Sequence, residues 1–157
     1  MLTRGLLTAA LVMILDQLSK AAVLAHFAGR ALGDHETVTS FFNLALTYNR
    51  GISFGLFNGG TGLNSVIFSL AAAAIVAVLV FWLSRVESPF LAVAIGLIIG
   101  GAIGNVIDRI RLGAVVDFLD FHVGSLHWPA FNVADSAICI GVAAMLLDGL
   151  LLRREAH

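Results

Sequence analysis

Four long apolar stretches dominate the sequence, separated by shorter segments rich in polar residues. A membrane-spanning helix needs about 20 mostly apolar residues to cross roughly 30 Å of hydrocarbon. By this criterion the pattern predicts spans at approximately residues 4–26, 64–84, 90–108 and 130–152. We therefore predict an all-α integral membrane protein, with residues 1–157 forming a single transmembrane domain.

The first span begins like a secretory signal peptide, because Arg4 precedes its apolar run. A signal peptide ends in a cleavage site of small residues. This run instead ends in a polar group that contains Asp16, Gln17 and Lys20. We therefore interpret it as a membrane span.

Two long loops, approximately residues 27–63 and 109–129, separate the spans. Residues 42–49 alternate large apolar residues with small or polar ones, which is typical of a half-buried strand. Val115 to Val123 is a second candidate for extended structure. Asn58-Gly59-Gly60 predicts a turn, and a tight turn around Arg85–Pro89 joins the second and third spans.

With four spans, both loops lie on one side of the membrane and both termini on the other. The basic residues of the terminal side, Arg4, Arg85, Arg153 and Arg154, lie close to helix ends and mostly apart from acids. Several on the loop side lie beside acids and are poor topology signals. The positive-inside rule therefore favours cytoplasmic termini.

Composition supports a membrane protein and limits its partners. Hydrophobic residues make up 59% of the chain and charged residues 12%, with a mean hydropathy of +0.97, whereas soluble domains carry about 25% charged residues. A net charge of −1 without a basic stripe argues against nucleic acid. The single cysteine, Cys139, excludes an internal disulfide and is interpreted as a small core residue. The five histidines form no metal motif, so we predict no metal and no cofactor.

Polar residues within the spans are grouped at helical spacing. A charge inside a membrane span is rare and marks function by default. Three groups occupy positions i, i+3 and i+4, and so share one helix face: Asp16, Ser19 and Lys20; Asn105, Asp108 and Arg109; Asn132, Asp135 and Ser136. Each group lies at the loop-side end of its helix, so we expect all three to converge.

Ion pairing is the alternative explanation for some of these acids. Asp16 has Lys20 one turn away and Asp108 has Arg109 beside it, so both interpretations stay open for them. Asp148 lies shortly before two arginines near the end of the fourth span, and we interpret it as structural.

Asp117 and Asp135 differ, because neither has a basic residue within four positions. Two carboxylates brought together at low dielectric cannot both ionise, so the pair holds one proton. The ionised member then acts as general base on a water and the protonated member as general acid on a carbonyl. This is the chemistry of aspartic proteases. Spacing alone leaves open whether Asp135 pairs with Asp108 or with Asp117.

Two further patterns have structural explanations. Gly96, Gly100 and Gly104, with Gly101, form a small-residue stripe that allows close helix packing. Residues 51–55, Gly-Ile-Ser-Phe-Gly, match the G-x-S-x-G nucleophile elbow, but that motif requires a strand-to-helix turn in an α/β sheet. We therefore reject a serine nucleophile.

A transporter and a non-catalytic scaffold are the two alternatives to a protease. A small proton-coupled transporter would also use intramembrane carboxylates, but its ionisable groups would be spread through the bilayer depth. Here the second span has none, and the three polar groups share one end. A non-catalytic scaffold would not need unpaired carboxylates.

Five motifs taken together resemble the lipoprotein signal peptidase family (signal peptidase II) in order and spacing, over nearly the whole chain. They are Asp16-Gln17-Leu18-Ser19-Lys20, Asn49-Arg50-Gly51, the segment from Gly100 to Arg109, Val115-Val116-Asp117-Phe118, and Phe131-Asn132-Val133-Ala134-Asp135.

The resemblance implies a fold, a location and a reaction. It implies four transmembrane helices with cytoplasmic termini in the bacterial inner membrane, with a small periplasmic β-cradle and a short interfacial helix. The expected enzyme is an endopeptidase that removes the signal peptide from diacylglyceryl-modified prolipoproteins, cleaving before the lipidated cysteine. Its partners would be these lipid-modified substrates and membrane lipid, and we expect a monomer.

The same resemblance assigns roles to residues. It makes Asp117 and Asp135 the catalytic pair. The matching positions that bind substrate or brace the pair are Asp16, Lys20, Asn49, Gly51, Asn105, Asp108, Arg109 and Asn132. The chain departs from the usual family pattern Asn-Thr-Gly-Ala-Ala-Phe at Arg50, Ile52 and Ser53, so substrate or inhibitor preference is in doubt there.

Overall fold

The computed structural model describes residues 1–31, 33–51 and 63–152, and its main feature is a bundle of four long helices. The helices are α1 (Leu2–His26), α2 (Leu63–Leu83), α3 (Pro89–Leu112) and α4 (Val133–Leu147), and a π-helical segment, Asp148–Leu152, continues α4. Each helix, α4 together with the start of this segment, is long and apolar enough to cross a membrane. The fold expected from the hydrophobic pattern is therefore present.

Helix α3 lies at the centre of the bundle. Of its most apolar window 61% is buried, against 28% or less in the other three helices. Glycines allow this close packing. A Cβ on Gly96 would collide with the carbonyl oxygen of Gly5 in α1, and one on Gly101 would collide with that of Ala134 in α4. The prediction that the glycine stripe packs helices is confirmed.

The ends of α3 are set by its local sequence. Ser88 caps the N-terminus by accepting a hydrogen bond from the Leu91 N–H at 3.2 Å, and Pro89 occupies the first turn. Gly113, with φ of 70°, ends the helix in a left-handed cap. The helix thus continues past residue 108, and Arg109 belongs to α3 and not to the following loop. Leu112 completes it because the first residue suited to a left-handed cap is Gly113.

A four-stranded antiparallel sheet is built from the two long loops. Its strands are β1 (His35–Thr39), β2 (Phe42–Asn49), β3 (Val115–Val123) and β4 (Leu126–His127), in the order β1-β2-β3-β4. The two extended segments predicted from alternation correspond to β2 and β3, and this prediction is confirmed. The register pairs Thr47 with Asp117 and Asn49 with Val115. Through it, the first loop is held against the strand that carries Asp117.

The sheet packs on the loop-side end of α1. Val23 and Phe27 of α1 form a buried apolar cluster with Leu46 of β2 and with Val116 and Phe118 of β3. Burying apolar area of this kind contributes about 25 cal/mol per Å². The cluster therefore fixes β3 relative to the helix ends.

One expectation is not confirmed by the described residues, and another is wrong. No short interfacial helix occurs within the described ranges, and residues 52–62, with the turn predicted at Asn58–Gly60, lie outside them. Cys139 is exposed on the surface of α4 and is not a core residue. Helix α4 turns Ala134, Ala137 and Gly141 inward, and position 139, about 200° around the helix from 137, faces away.

Candidate active site

A buried lysine joins two aspartates at the loop-side end of the bundle. Lys20 Nζ lies 2.8 Å from Asp16 Oδ2 and 2.8 Å from Asp108 Oδ2. It also donates to Asn105 Oδ1 at 3.1 Å. All four side chains are buried, and a charged group at such depth is tolerated when it is paired and hydrogen-bonded.

The two aspartates also bind backbone of neighbouring elements. The Ala134 N–H of α4 donates to Asp16 Oδ1 at 3.0 Å, and the Val116 N–H of β3 donates to Asp108 Oδ2 at 3.1 Å. The Lys20 cluster, defined as Asp16, Lys20 and Asp108, thus connects α1, α3, α4 and β3. The predicted Asp16–Lys20 pair is present.

The ion pair between Asp108 and Arg109 that the sequence suggested is not formed. Asp108 forms its ion pair with Lys20. The Arg109 guanidinium instead lies over the Phe68 ring, 5.6 Å from its centroid, and faces α2. Adjacent residues on a helix point about 100° apart, so sequence neighbours need not share a partner.

Close packing brings Asp16 into the site. A Cβ on Gly104 of α3 would lie 2.5 Å from Asp16 Oδ2, well inside contact distance. Only glycine at this position leaves room for the carboxylate. The glycine stripe therefore does more than pack helices, because its last member admits a polar side chain.

Asparagines connect the other two carboxylates. Asn132 Nδ2 donates to Asp117 Oδ1 at 2.7 Å and to Asn105 Oδ1 at 3.2 Å. Asn105 Nδ2 donates in turn to Asp135 Oδ1 at 2.8 Å. Asp117 and Asp135, which lie on different elements, are therefore joined through Asn132 and Asn105.

The position of Asp135 follows from the start of α4. Asn132 is the N-cap, and its side chain accepts from the Asp135 N–H at 2.9 Å while Asp135 Oδ2 accepts from the Asn132 N–H at 3.3 Å. This reciprocal capping box orients both side chains. The helix N-terminus also favours a negative charge at this position.

On the opposite side Asp117 is held by the first loop. Asn49 Nδ2 donates to Asp117 Oδ2 at 3.1 Å. The Gly51 N–H donates to Asn49 Oδ1 at 3.1 Å and so orients that amide. Arg50 lies between them and is exposed, whereas Ile52 and Ser53 lie outside the described residues.

The environment of Asp117 disfavours its ionised form. Burial, and then the charge of Asp135, raise the pKa of Asp117 from 3.8 to about 6, although hydrogen bonds from Asn49 and Asn132 and the charge of Lys20 oppose the shift. Among the described residues no ion pair reaches Asp117, while Asp108 is neutralised by Lys20. The charge of Asp135 thus acts on Asp117, whereas Asp108 is paired with Lys20.

One site residue was missed by the sequence analysis. Gln17 Nε2 donates to Asp108 Oδ1 at 3.0 Å and to the Gly104 carbonyl oxygen at 3.2 Å. It lies inside the motif that starts at Asp16, but an uncharged amide does not stand out among the ionisable residues. Across the described ranges no group of three or more His, Cys, Asp or Glu side chains is arranged to hold a metal ion. The chemistry available to these residues is that of carboxylates and amides.

Solved structures of similar fold define the class of protein. Two described as bacterial membrane enzymes align with TM-scores of 0.79 and 0.77, at 32% and 33% identity. The first alignment covers 94% of this chain and 92% of that structure, and the second 93% and 87%. The fold is thus similar to that of bacterial membrane enzymes, and its four long apolar helices are consistent with a multipass membrane protein.

Sequence relatives narrow this class to one family. A family model described as signal peptidase (SPase) II matches residues 8–151. Lipoprotein signal peptidases from Burkholderia cenocepacia and Ralstonia nicotianae are 45% and 47% identical to this chain over 148 and 140 residues. These matches cover 94% and 87% of this chain, and 87% and 78% of the relatives. The chain belongs to the signal peptidase II family and is a peptidase, which confirms the resemblance found in the five motifs.

Proposed function

We propose that this protein is an intramembrane aspartyl endopeptidase that removes the signal peptide from diacylglyceryl-modified prolipoproteins, cleaving before the lipidated cysteine. The observation that carries the proposal is the asparagine-bridged pair Asp117 and Asp135 at one end of the bundle. Relatives named lipoprotein signal peptidase support the substrate class.

The two carboxylates are proposed to share one proton. Burial and the neighbouring charge raise the pKa of Asp117 to about 6, which favours the proton on this side chain. Asp135 accepts hydrogen bonds from the Asn105 amide and from the Asn132 N–H. Asp117 is then the acid and Asp135 the base when the substrate arrives.

Hydrolysis follows from this distribution of one proton. Asp135 takes a proton from a water whose oxygen bonds to the scissile carbonyl carbon, while Asp117 gives its proton to the carbonyl oxygen. The tetrahedral intermediate then collapses. The C–N bond breaks, the leaving nitrogen takes the proton held by Asp135, and Asp117 recovers a proton from the hydroxyl. The pair ends as it began, and the reaction needs no metal or cofactor.

The remaining site residues are proposed to position this pair and the substrate. Asn49, Asn105 and Asn132 hold the carboxylates through the hydrogen bonds described above. The Lys20 cluster braces the helix ends and the start of β3. Gly51, next to Asn49, and Arg109, which interacts electrostatically with Asp135 and Asp117, are proposed to bind the substrate backbone.

The membrane arrangement follows from the substrate. A lipid-modified peptide stays in the bilayer, so its scissile bond lies near an interface. The carboxylates lie where the helix ends meet the sheet, and we propose that this end of the bundle lies at that interface. We propose that this end faces the periplasm, that both termini are cytoplasmic, and that the enzyme acts as a monomer in contact with membrane lipid.

A gel-shift cleavage assay tests the proposal. Purified protein in detergent is incubated with a diacylglyceryl prolipoprotein, beside Asp117→Asn and Asp135→Asn. Asp120→Asn is the matched control, because Asp120 lies on the same strand but binds Asn43 and His127 outside the site. We expect cleavage by wild type and Asp120→Asn, and none by the other two variants.

Two results would contradict the proposal. If folded, monodisperse wild-type protein does not cleave the prolipoprotein, the proposed substrate is wrong. If Asp117→Asn retains activity and Asp108→Asn loses it, the proposed substrate is unaffected but the proposed catalytic pair is wrong.

A further inference from the structure

A cavity with charged and apolar lining residues lies at the end of the bundle opposite to the carboxylate pair. It is a cleft of about 330 Å³ between the α2–α3 turn and the end of α4, a volume at the lower end of the range typical of small-molecule sites. The lining residues are Trp82, Arg85, Val86, Glu87, Ser88, Leu91 and Asp148. None of them takes part in the proposed hydrolysis.

Asp148 is the buried charge of this cleft. Only 8% of the residue is exposed, and no hydrogen bond or ion pair from the described residues reaches its carboxylate. Arg153 and Arg154, which the sequence suggested as neighbours, lie outside those residues. An ionisable side chain within a membrane span marks a candidate functional site by default, and none of the described residues supplies a cation to this carboxylate.

The backbone is also irregular at this position. Asp148 begins the π-helical segment that continues α4. Single π-helical turns within α-helices occur frequently at functional sites.

The cleft lining also contains positive groups, beside the carboxylate of Glu87. Arg85 lies in the α2–α3 turn, with its guanidinium 4.7 Å from the centroid of the Phe81 ring. The N-terminus of α3 begins at Ser88, and helix N-termini favour anions such as phosphate. The cleft therefore offers a place for an anion and a place for a cation in one cavity.

Apolar residues around the cleft indicate where its ligand comes from. Phe81 and Phe90 are 62% and 46% exposed on the helix surfaces beside it, and Trp82 is 37% exposed. Tryptophan is enriched where a membrane meets water. A ligand that is polar at one end and apolar at the other fits this boundary.

We propose that this cleft binds a phospholipid whose headgroup carries a phosphate and a primary ammonium, as phosphatidylethanolamine does. The ammonium pairs with Asp148, the phosphate meets Arg85 and the α3 N-terminus, and the acyl chains lie along the exposed aromatic residues. Choline lacks the N–H donors that a buried carboxylate needs, and a glycerol headgroup lacks the positive charge. The site is thus selective for an amine-bearing lipid.

Native mass spectrometry of the full chain tests this proposal. The protein in detergent is titrated with phosphatidylethanolamine, phosphatidylcholine and phosphatidylglycerol of identical acyl chains. Asp148→Asn keeps the shape of the side chain and removes its charge. Arg85→Gln is a second variant on an exposed side chain, and Arg4→Gln is its matched control, because Arg4 lies at the same end of the bundle but does not line the cleft.

We expect wild type to retain phosphatidylethanolamine in preference to the other two lipids. Removing one charged hydrogen-bonding partner should weaken that binding about tenfold or more in Asp148→Asn and in Arg85→Gln, and leave it unchanged in Arg4→Gln. Equal retention of all three lipids, or equal binding by Asp148→Asn and wild type, would overturn the proposal.

A soluble headgroup and the chain's own arginines supply two further tests. If O-phosphoethanolamine binds as tightly as the lipid, the ligand is not a lipid. If wild type binds no phosphatidylethanolamine while an Arg153→Gln/Arg154→Gln variant does, those arginines occupy the cleft in place of lipid. Either result would overturn the proposal without bearing on prolipoprotein cleavage.

Discussion

The Lys20 ammonium lies 2.8 Å from Asp108 Oδ2, and so joins α1 to α3 at the end of the bundle that carries the site. The same nitrogen lies 2.8 Å from Asp16 Oδ2. One buried cation is therefore shared by two carboxylates. Removing it would leave both uncompensated in a region from which water is largely excluded.

Replacing Lys20 should therefore destabilise the protein. We expect Lys20→Met to lower the free energy of unfolding by about 3–5 kcal/mol, the range for breaking a buried ion pair by removing one partner. Thermal unfolding in detergent measures the change. Arg111→Gln, at an exposed position of α3, is the control and should have little effect. Adding Asp108→Asn to Lys20→Met should recover part of the loss, and no recovery would mean that the ion pair is not its cause.

The glycine stripe supports a second prediction. A Cβ on Gly100 would lie 2.5 Å from the backbone carbonyl oxygen of Ala9, and backbone cannot move aside as a flexible side chain can. Gly100→Ala should lower stability by about 1–3 kcal/mol, as overpacking does. Gly149→Ala is the matched control, since nothing lies within 4 Å of its added Cβ. Equal melting temperatures for both variants would show that α1 and α3 pack less closely than described.

The pH dependence of cleavage tests the shared proton. Because burial and the Asp135 charge raise the pKa of Asp117 to about 6, kcat/KM should fall on the alkaline side with an apparent pKa near that value. It should fall again at acid pH as the pair takes a second proton, and both constants belong to the pair. Asp120→Asn should leave the profile unchanged. A flat profile from pH 4 to about 8 would argue against acid–base catalysis by this pair.

The free energy of unfolding should also depend on pH, because the pKa of Asp117 is raised in the folded protein. The pKa of Asp117 is raised in the folded protein to about 6 from an ordinary 3.8, so ionisation disfavours folding. This destabilisation is absent below about pH 4, grows between about pH 4 and 6, and reaches its full size above about pH 6. Asp117→Asn should therefore stabilise the protein at pH 8, by up to roughly 3 kcal/mol from the two-unit shift, and change it little at pH 4.

The contribution of Asp120 to stability should depend on pH in the opposite direction, so Asp120→Asn serves as the comparison. Burial acts to raise its pKa, but hydrogen bonds from Asn43 and His127 lower it below its ordinary value. Its ionised form thus stabilises the fold above the ordinary pKa and this contribution is lost in acid. Asp120→Asn should lower the melting temperature at pH 8. The same sign for both variants would contradict the described environments.

Asn132 has two roles that substitutions can separate. Serine is also a good N-cap, but its shorter side chain lacks the amide that donates to Asp117. Asn132→Ser should keep most of the stability, whereas Asn132→Ala should lose about 1 kcal/mol with the cap. Both should lose most of the cleavage rate. If Asn132→Ser cleaves as wild type does, the amide bridge has no part in catalysis.

Local patterns were sufficient to predict most of the fold. The hydrophobic runs predicted four spans, because backbone in lipid must form its hydrogen bonds within a helix. Alternation predicted β2 and β3, and the residues at i, i+3 and i+4 predicted that three polar groups meet at one end. The end of α3 was predicted too early, because the cap at Gly113 lies beyond the charged residues at which the apolar pattern stops.

Contacts between distant elements required the tertiary structure. Sequence proximity suggested Arg109 as the partner of Asp108, but packing of α1 on the glycines of α3 brings Lys20 there instead. The exposure of Cys139 depends on which face α4 turns toward its neighbours. The raised pKa of Asp117 likewise requires burial and a nearby Asp135. Spacing along a chain determines which side chains share a helix face, and only the packing of helices on one another decides which charges meet.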